Sequence, residues 1–92
     1  MADHIYDERR AKLRVAILTV LNRVSGRTLS ENILYADMNL HLEPRAEVPE
    51  FRDELIALRD MGLIVIVAPG RLYSERKVMI TDEGRLALAE VQ

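Results

Sequence analysis

The segment from Phe51 to Leu88, FRDELIALRDMGLIVIVAPGRLYSERKVMITDEGRLAL, constrains the fold more than any other part of the chain. Phe51, Leu55 and Leu58 recur at helical spacing, with Met61 just beyond. Pro49, just ahead of them, suits a first helical turn, where its missing N–H costs nothing. Gly62 stops that helix. Leu63 to Val67 is short, largely β-branched and bounded by glycine and proline, which favours strand over helix. Pro69-Gly70 turns the chain, and Val78 to Thr81 returns as a second strand. Thr81 or Asp82 then caps a last helix through Leu86 and Leu88.

Two helical segments precede this block. Asp7 can cap the first, with Glu8 favourable at its positive end. Leu13, Ala16, Ile17, Val20, Leu21 and Val24 make one core-facing stripe, and Ser25-Gly26 ends the helix. A shorter apolar line, Ala11, Val15 and Leu18, runs along another face and needs a partner. Arg27 to Leu29 reads as short and extended. Ser30 then caps a second helix that carries Ile33, Leu34, Met38 and Leu42 inward, and Glu43-Pro44 disfavours its continuation. Pro44 to Val48 is the turn into the third helix.

The expected architecture is α+β, mainly α. It is a winged helix-turn-helix of order α-β-α-α-β-β-α with a two-stranded wing, built as a single domain over residues 1–92. Each part suits nucleic acid: the third helix has the shape that fits a major groove, and the wing brings cations to flanking phosphates.

Composition sets the exclusions. The chain has no cysteine, which removes disulfides, thiolate metal sites and a cysteine nucleophile. The first residues are charged and lack the apolar core of a secretory signal. The longest apolar runs fall well short of a membrane span. A cytoplasmic protein with no membrane contact is expected. His4 and His41 lie in unrelated segments. His41 with Glu43 supplies too few ligands for a metal, and Glu50, Asp53 and Glu54 read as a solvated helix face rather than acid–base machinery. No nucleophile, base and orienting group come together in sequence. The expectation is a protein that is not an enzyme and uses no cofactor or metal.

Charge is unevenly spread. Met1 to Ser30 carries six basic residues against three acidic ones, and Glu31 to Met61 carries three against eight. The candidate DNA contacts are Arg45 in the turn, Arg52 on the third helix, and Arg71, Tyr73, Arg76 and Lys77 along the wing. Arg52 and Arg59 are alternatively read as pairing with acids on their own helix. Arg9, Arg10, Lys12 and Arg14 read as a solvated helix start that can also touch DNA backbone.

The LRDMGLI and KVMITDEGRLAL segments resemble small bacterial regulators of the multiple-antibiotic-resistance and arsenical-resistance repressor types. A closer resemblance is to small proteins encoded by Mu-like prophages. It rests on Asp7-Glu8-Arg9-Arg10, ILTVL, LSENIL and the run from Arg52-Asp53-Glu54-Leu55 to Gly62-Leu63. This resemblance implies a phage winged-helix protein that binds DNA, with no family-defined binding residues to carry over.

The leading expectation is therefore a prophage transcriptional regulator that binds double-stranded DNA as a homodimer, with Ala11, Val15 and Leu18 at the dimer interface. The alternative is a winged-helix interaction module whose acidic third helix docks on a basic protein partner.

Overall fold

The computed structural model describes residues 2–67 and 76–91, with side chains from Glu8 onward. Along the chain the elements are α1 (Ala2–Arg23), β1 (Leu29–Ser30), α2 (Glu31–Asn39), α3 (Val48–Asp60), β2 (Ile64–Val67), β3 (Lys77–Ile80) and α4 (Asp82–Val91). The protein is a small, mainly helical α+β structure with one antiparallel sheet. Pro69-Gly70, Arg71 and Tyr73 lie outside the described residues.

The first helix is longer than its capping signal suggested. Asp7 lies inside α1 rather than at its start, because nothing in the preceding residues interrupts helical backbone. The far end behaves as the glycine predicts: Gly26 adopts φ +86°, and Arg27 N–H closes the turn on Val24 O at 2.9 Å. Leu13, Ile17 and Leu21 of α1 bury almost completely against Leu34 and Met38 of α2, Phe51, Leu55 and Leu58 of α3, and Leu88 of α4. Ile33 departs from expectation and is 51% exposed. Leu34 and Met38, one turn apart, already occupy the inward face of α2, and Ile33 sits one residue off it.

The sheet is a correction. A two-stranded wing was expected, but three strands pair in the order β1-β3-β2. Leu29 and Ser30 pair with Val78 and Lys77, while Ile64 to Val67 pairs with Ile80 to Lys77. The two residues of β1 satisfy their backbone groups on the free side of β3 instead of on water. Their pairing ties the base of the hairpin to the start of α2, where Glu31 N–H donates to Arg76 O at 2.9 Å.

Two local devices fix the helices relative to the sheet. Thr81 Oγ1 accepts from Gly84 N–H at 3.0 Å, capping α4, and its hydroxyl donates to Gly62 O at 2.7 Å. Gly84 packs where no side chain fits: a Cβ there would stand 2.2 Å from Leu63 O. The loop between α2 and α3 is held by Asn39, whose amide bonds Ala46 N–H at 2.7 Å and Ala46 O at 3.3 Å. Tyr35 donates to the same carbonyl at 2.7 Å, with its ring edge-on to Phe51. Leu88 seats α4 in the core, while Leu86 is 67% exposed.

Candidate nucleic-acid interface

The acidity of α3 is the first question for any anionic ligand, and burial answers much of it. Glu54 is 1% exposed, and its two oxygens accept from Arg10 Nε at 2.9 Å and Arg14 Nε at 3.0 Å. Glu50 takes a two-point contact from Arg9, with Nε at 2.8 Å and Nη2 at 3.1 Å. Arg9 also donates to Pro44 O at 2.7 Å, which pins the α2–α3 loop to α1. The hydrogen bond from Arg9 holds the Glu50 carboxyl below its ordinary value, and the same contact raises the Arg9 guanidinium.

These contacts overturn two expectations. Glu50, Asp53 and Glu54 do not form one solvated face, and Arg9, Arg10 and Arg14 are not a solvated helix start. Sealed inside, Glu54 needs partners, since an unpaired buried carboxylate costs several kcal/mol. A signal for this was present in the sequence: Arg10 and Arg14, spaced by four, share one face of α1 and can converge on a single carboxylate.

What α3 turns outward is therefore balanced. Arg52, Asp53, Ile56, Arg59 and Asp60 are all exposed, two cations against two anions around an apolar centre. Arg59 pairs with its neighbour Asp60 at 3.3 Å, along its own helix as expected. Arg52 does not: its Nε reaches across to Glu31 Oε1 of α2 at 3.1 Å. The reason is positional, because the docking that buries Phe51 against Tyr35 brings Arg52 to the first turn of α2.

Glu31 is the residue that sequence reasoning missed. It accepts from Arg52 through its side chain and donates to Arg76 O through its backbone, while Ser30 next to it pairs in register with Lys77. From two places in the sequence, the side chain of Arg52 and the backbone of Arg76 and Lys77 come to the N-terminal end of α2. All three are exposed. No sequence signal short of the β1–β3 register would have found this. Arg45 is exposed at the α2–α3 loop, where it lines an open cleft with Tyr35, Glu47 and Pro49; none of these contacts joins it to the other three.

No family model matches the chain, and no curated protein is similar to it.

The remaining expected sites divide. Ala11 is exposed and Val15 half-buried, but Leu18 is 3% exposed and belongs to the core, so it is withdrawn from the dimer interface. Leu18 follows Ile17 on the face that α1 presses inward, which leaves it no outward path. His41 contacts Arg23 Nη2 through its Nε2 at 3.2 Å. Among the described residues no group of three His, Asp or Glu side chains stands close enough to hold a metal ion, and no described helix is long and apolar enough to cross a membrane.

Proposed function

We propose that this chain is a winged helix-turn-helix protein that binds double-stranded DNA, acting in phage gene regulation as the sequence resemblance implies. The observation that carries the reading is that exposed Arg52, held by Glu31, and the exposed Arg76-Lys77 pair, held through its backbone, both border the start of α2, while Glu50 and Glu54 are turned onto α1. In this reading α3 offers its balanced face to the groove, and Lys77 and Arg76 contact backbone phosphates; Arg71 and Tyr73, the other expected contacts, lie outside the described residues. Arg45, in the loop that leads into α3, is a separate phosphate contact. Binding is expected to rest mainly on phosphates, because the outward face of α3 offers only two cations for base edges.

The experiment is a titration of labelled mixed-sequence duplex at several salt concentrations. The expected result is association at low salt whose log affinity falls linearly with log salt. Arg52→Ala and Lys77→Ala are each expected to weaken it and flatten the slope. No association at about 50 mM salt, where phosphate contacts are strongest, overturns the reading. The rival, a basic protein docking on an acidic third helix, loses support because two of the acids it needs already hold arginines of the same chain.

A further inference from the structure

The outer face of α1 carries a second feature, independent of DNA. Ala11, Lys12, Val15, Ala16 and Thr19 floor an open depression of about 640 Å³. His41, Leu42 and Glu43 line it from the α2–α3 loop, and Val91 lines it from α4. Val91 follows Gly84 by seven residues and Leu88 by three, so it shares their inward side of α4. Gly84 and Leu88 are buried, yet Val91 is 63% exposed. With Ala11 and Val15 it gives the depression a largely apolar lining.

The pattern along α1 specifies the cover. From end to end, the outward line reads Glu8, Ala11, Val15, Thr19, Arg23, with Glu8 and Arg23 both exposed. Val15 stands at the middle, and small residues flank it on each side. The ends carry opposite charges at about 10.5 and 12 Å from the centre, at 1.5 Å per residue. Arg23 also reaches His41, which keeps it on the side of the depression. Turn this line about a two-fold axis at Val15 and it becomes its own complement. Val15 meets Val15 of the second copy, Ala11 meets Thr19, and Glu8 meets Arg23 twice over. Lys12 falls opposite Leu18 and Thr19, with no like charge across from it. A parallel pairing would instead set Glu8 against Glu8 and Arg23 against Arg23.

We infer that the occupant is a second copy of this chain, its α1 packed antiparallel across Val15, with Val91 closing the flank. Small residues on both sides of the centre allow the close interaxial approach that such helix pairs use. A two-fold contact of this kind is self-complementary and closes on itself without further growth.

The absence of native cysteine gives a clean test. Under mild oxidation, Val15→Cys is expected to form a covalent dimer, because the two positions meet at the axis. Ala11→Cys alone is not, since its two copies stand about 12 Å apart along the helices, beyond the roughly 7 Å that a disulfide spans. A mixture of Ala11→Cys and Thr19→Cys chains is expected to crosslink. In sedimentation equilibrium, Glu8→Arg and Arg23→Glu should each weaken the dimer about tenfold, as two exposed pairs turn from attraction to repulsion. The combined variant should recover it. Both positions are exposed, and because Arg23 also contacts His41, thermal unfolding of each variant separates loss of the dimer from loss of the fold. A chain that stays monomeric at hundreds of micromolar, Ala11→Cys crosslinking as well as Val15→Cys, or a double charge swap that fails to recover the dimer each overturns the inference.

Discussion

Arg14 and Glu54 lie 40 positions apart in the chain and 3.0 Å apart in space, with the carboxylate sealed at 1% exposure. Arg10 holds the other oxygen of the same carboxylate at 2.9 Å. The first and third helices thus dock through a charged contact set into an apolar boundary. That contact decides both how α3 is seated and which charges it can offer.

Removing the two sides of this contact should have unequal effects. Glu54→Ala leaves two arginines, each about one-third exposed, that can turn to water, and should cost about 2 kcal/mol. Replacing Arg10 and Arg14 together strands a sealed carboxylate and should cost about 3–5 kcal/mol. Either arginine alone still neutralises Glu54, so the double substitution should exceed the sum of the singles. Urea unfolding of the four variants measures this, and strict additivity would contradict a shared carboxylate.

Glu50 should make stability acid-sensitive. Its folded pKa lies below the ordinary 4.5, chiefly through the Arg9 hydrogen bond. A depressed carboxyl stabilises fully above its unfolded pKa and loses that contribution as pH falls through the folded one. The stability gap between the parent and Arg9→Gln should therefore be widest at neutral pH and narrow below about pH 4.5. A part of the gap should persist at all pH, because Arg9 also bonds Pro44 O. A gap that stays constant from pH 7 to pH 3 would show that the carboxylate is not coupled to folding.

Gly84→Ala should destabilise, although alanine is the better helix former by about 1 kcal/mol. The added Cβ would meet Leu63 O at 2.2 Å and Ile80 Cγ1 at 2.7 Å, and the first of these is backbone that cannot swing aside. Overpacking of this sort costs about 1–3 kcal/mol net, which should lower the melting temperature by several degrees. A melting temperature unchanged or raised in calorimetry would mean that α4 does not lie this close to the Gly62–Leu63 corner.

Asp53 offers the cleanest charge test of the DNA reading, because it is exposed on the outward face of α3. Asp53→Lys should tighten binding to mixed-sequence duplex and steepen its salt dependence by about one unit. Glu50→Lys would not serve, since it breaks the Arg9 contact and unseats the helix. If Asp53→Lys leaves affinity and slope unchanged, any DNA contact lies away from α3.

The helices and strands were legible because their signals are local. Leu13, Ile17 and Leu21 recur with helical period, Gly62 stops α3 with φ +77°, and Ser30 caps α2 by accepting from Ile33 N–H. Each of these acts within one or two turns, so the order of residues is enough to set it. The extended segment before α2 was legible, but its place in the sheet was not, because two residues such as Leu29-Ser30 carry no periodicity that says they pair with Val78 and Lys77.

Charge was the property least determined by sequence. The order of residues established that the stretch from Glu31 to Met61 is acidic and the first thirty residues basic. Only the tertiary structure decided that Glu50 and Glu54 are neutralised across the α1–α3 contact, and that Arg52 reaches Glu31 at the start of α2, beside the backbone of Arg76 and Lys77. Helical period tells which residues share a face, but a face acquires its partner only when elements dock. Electrostatic energy depends on the distance and burial that docking sets.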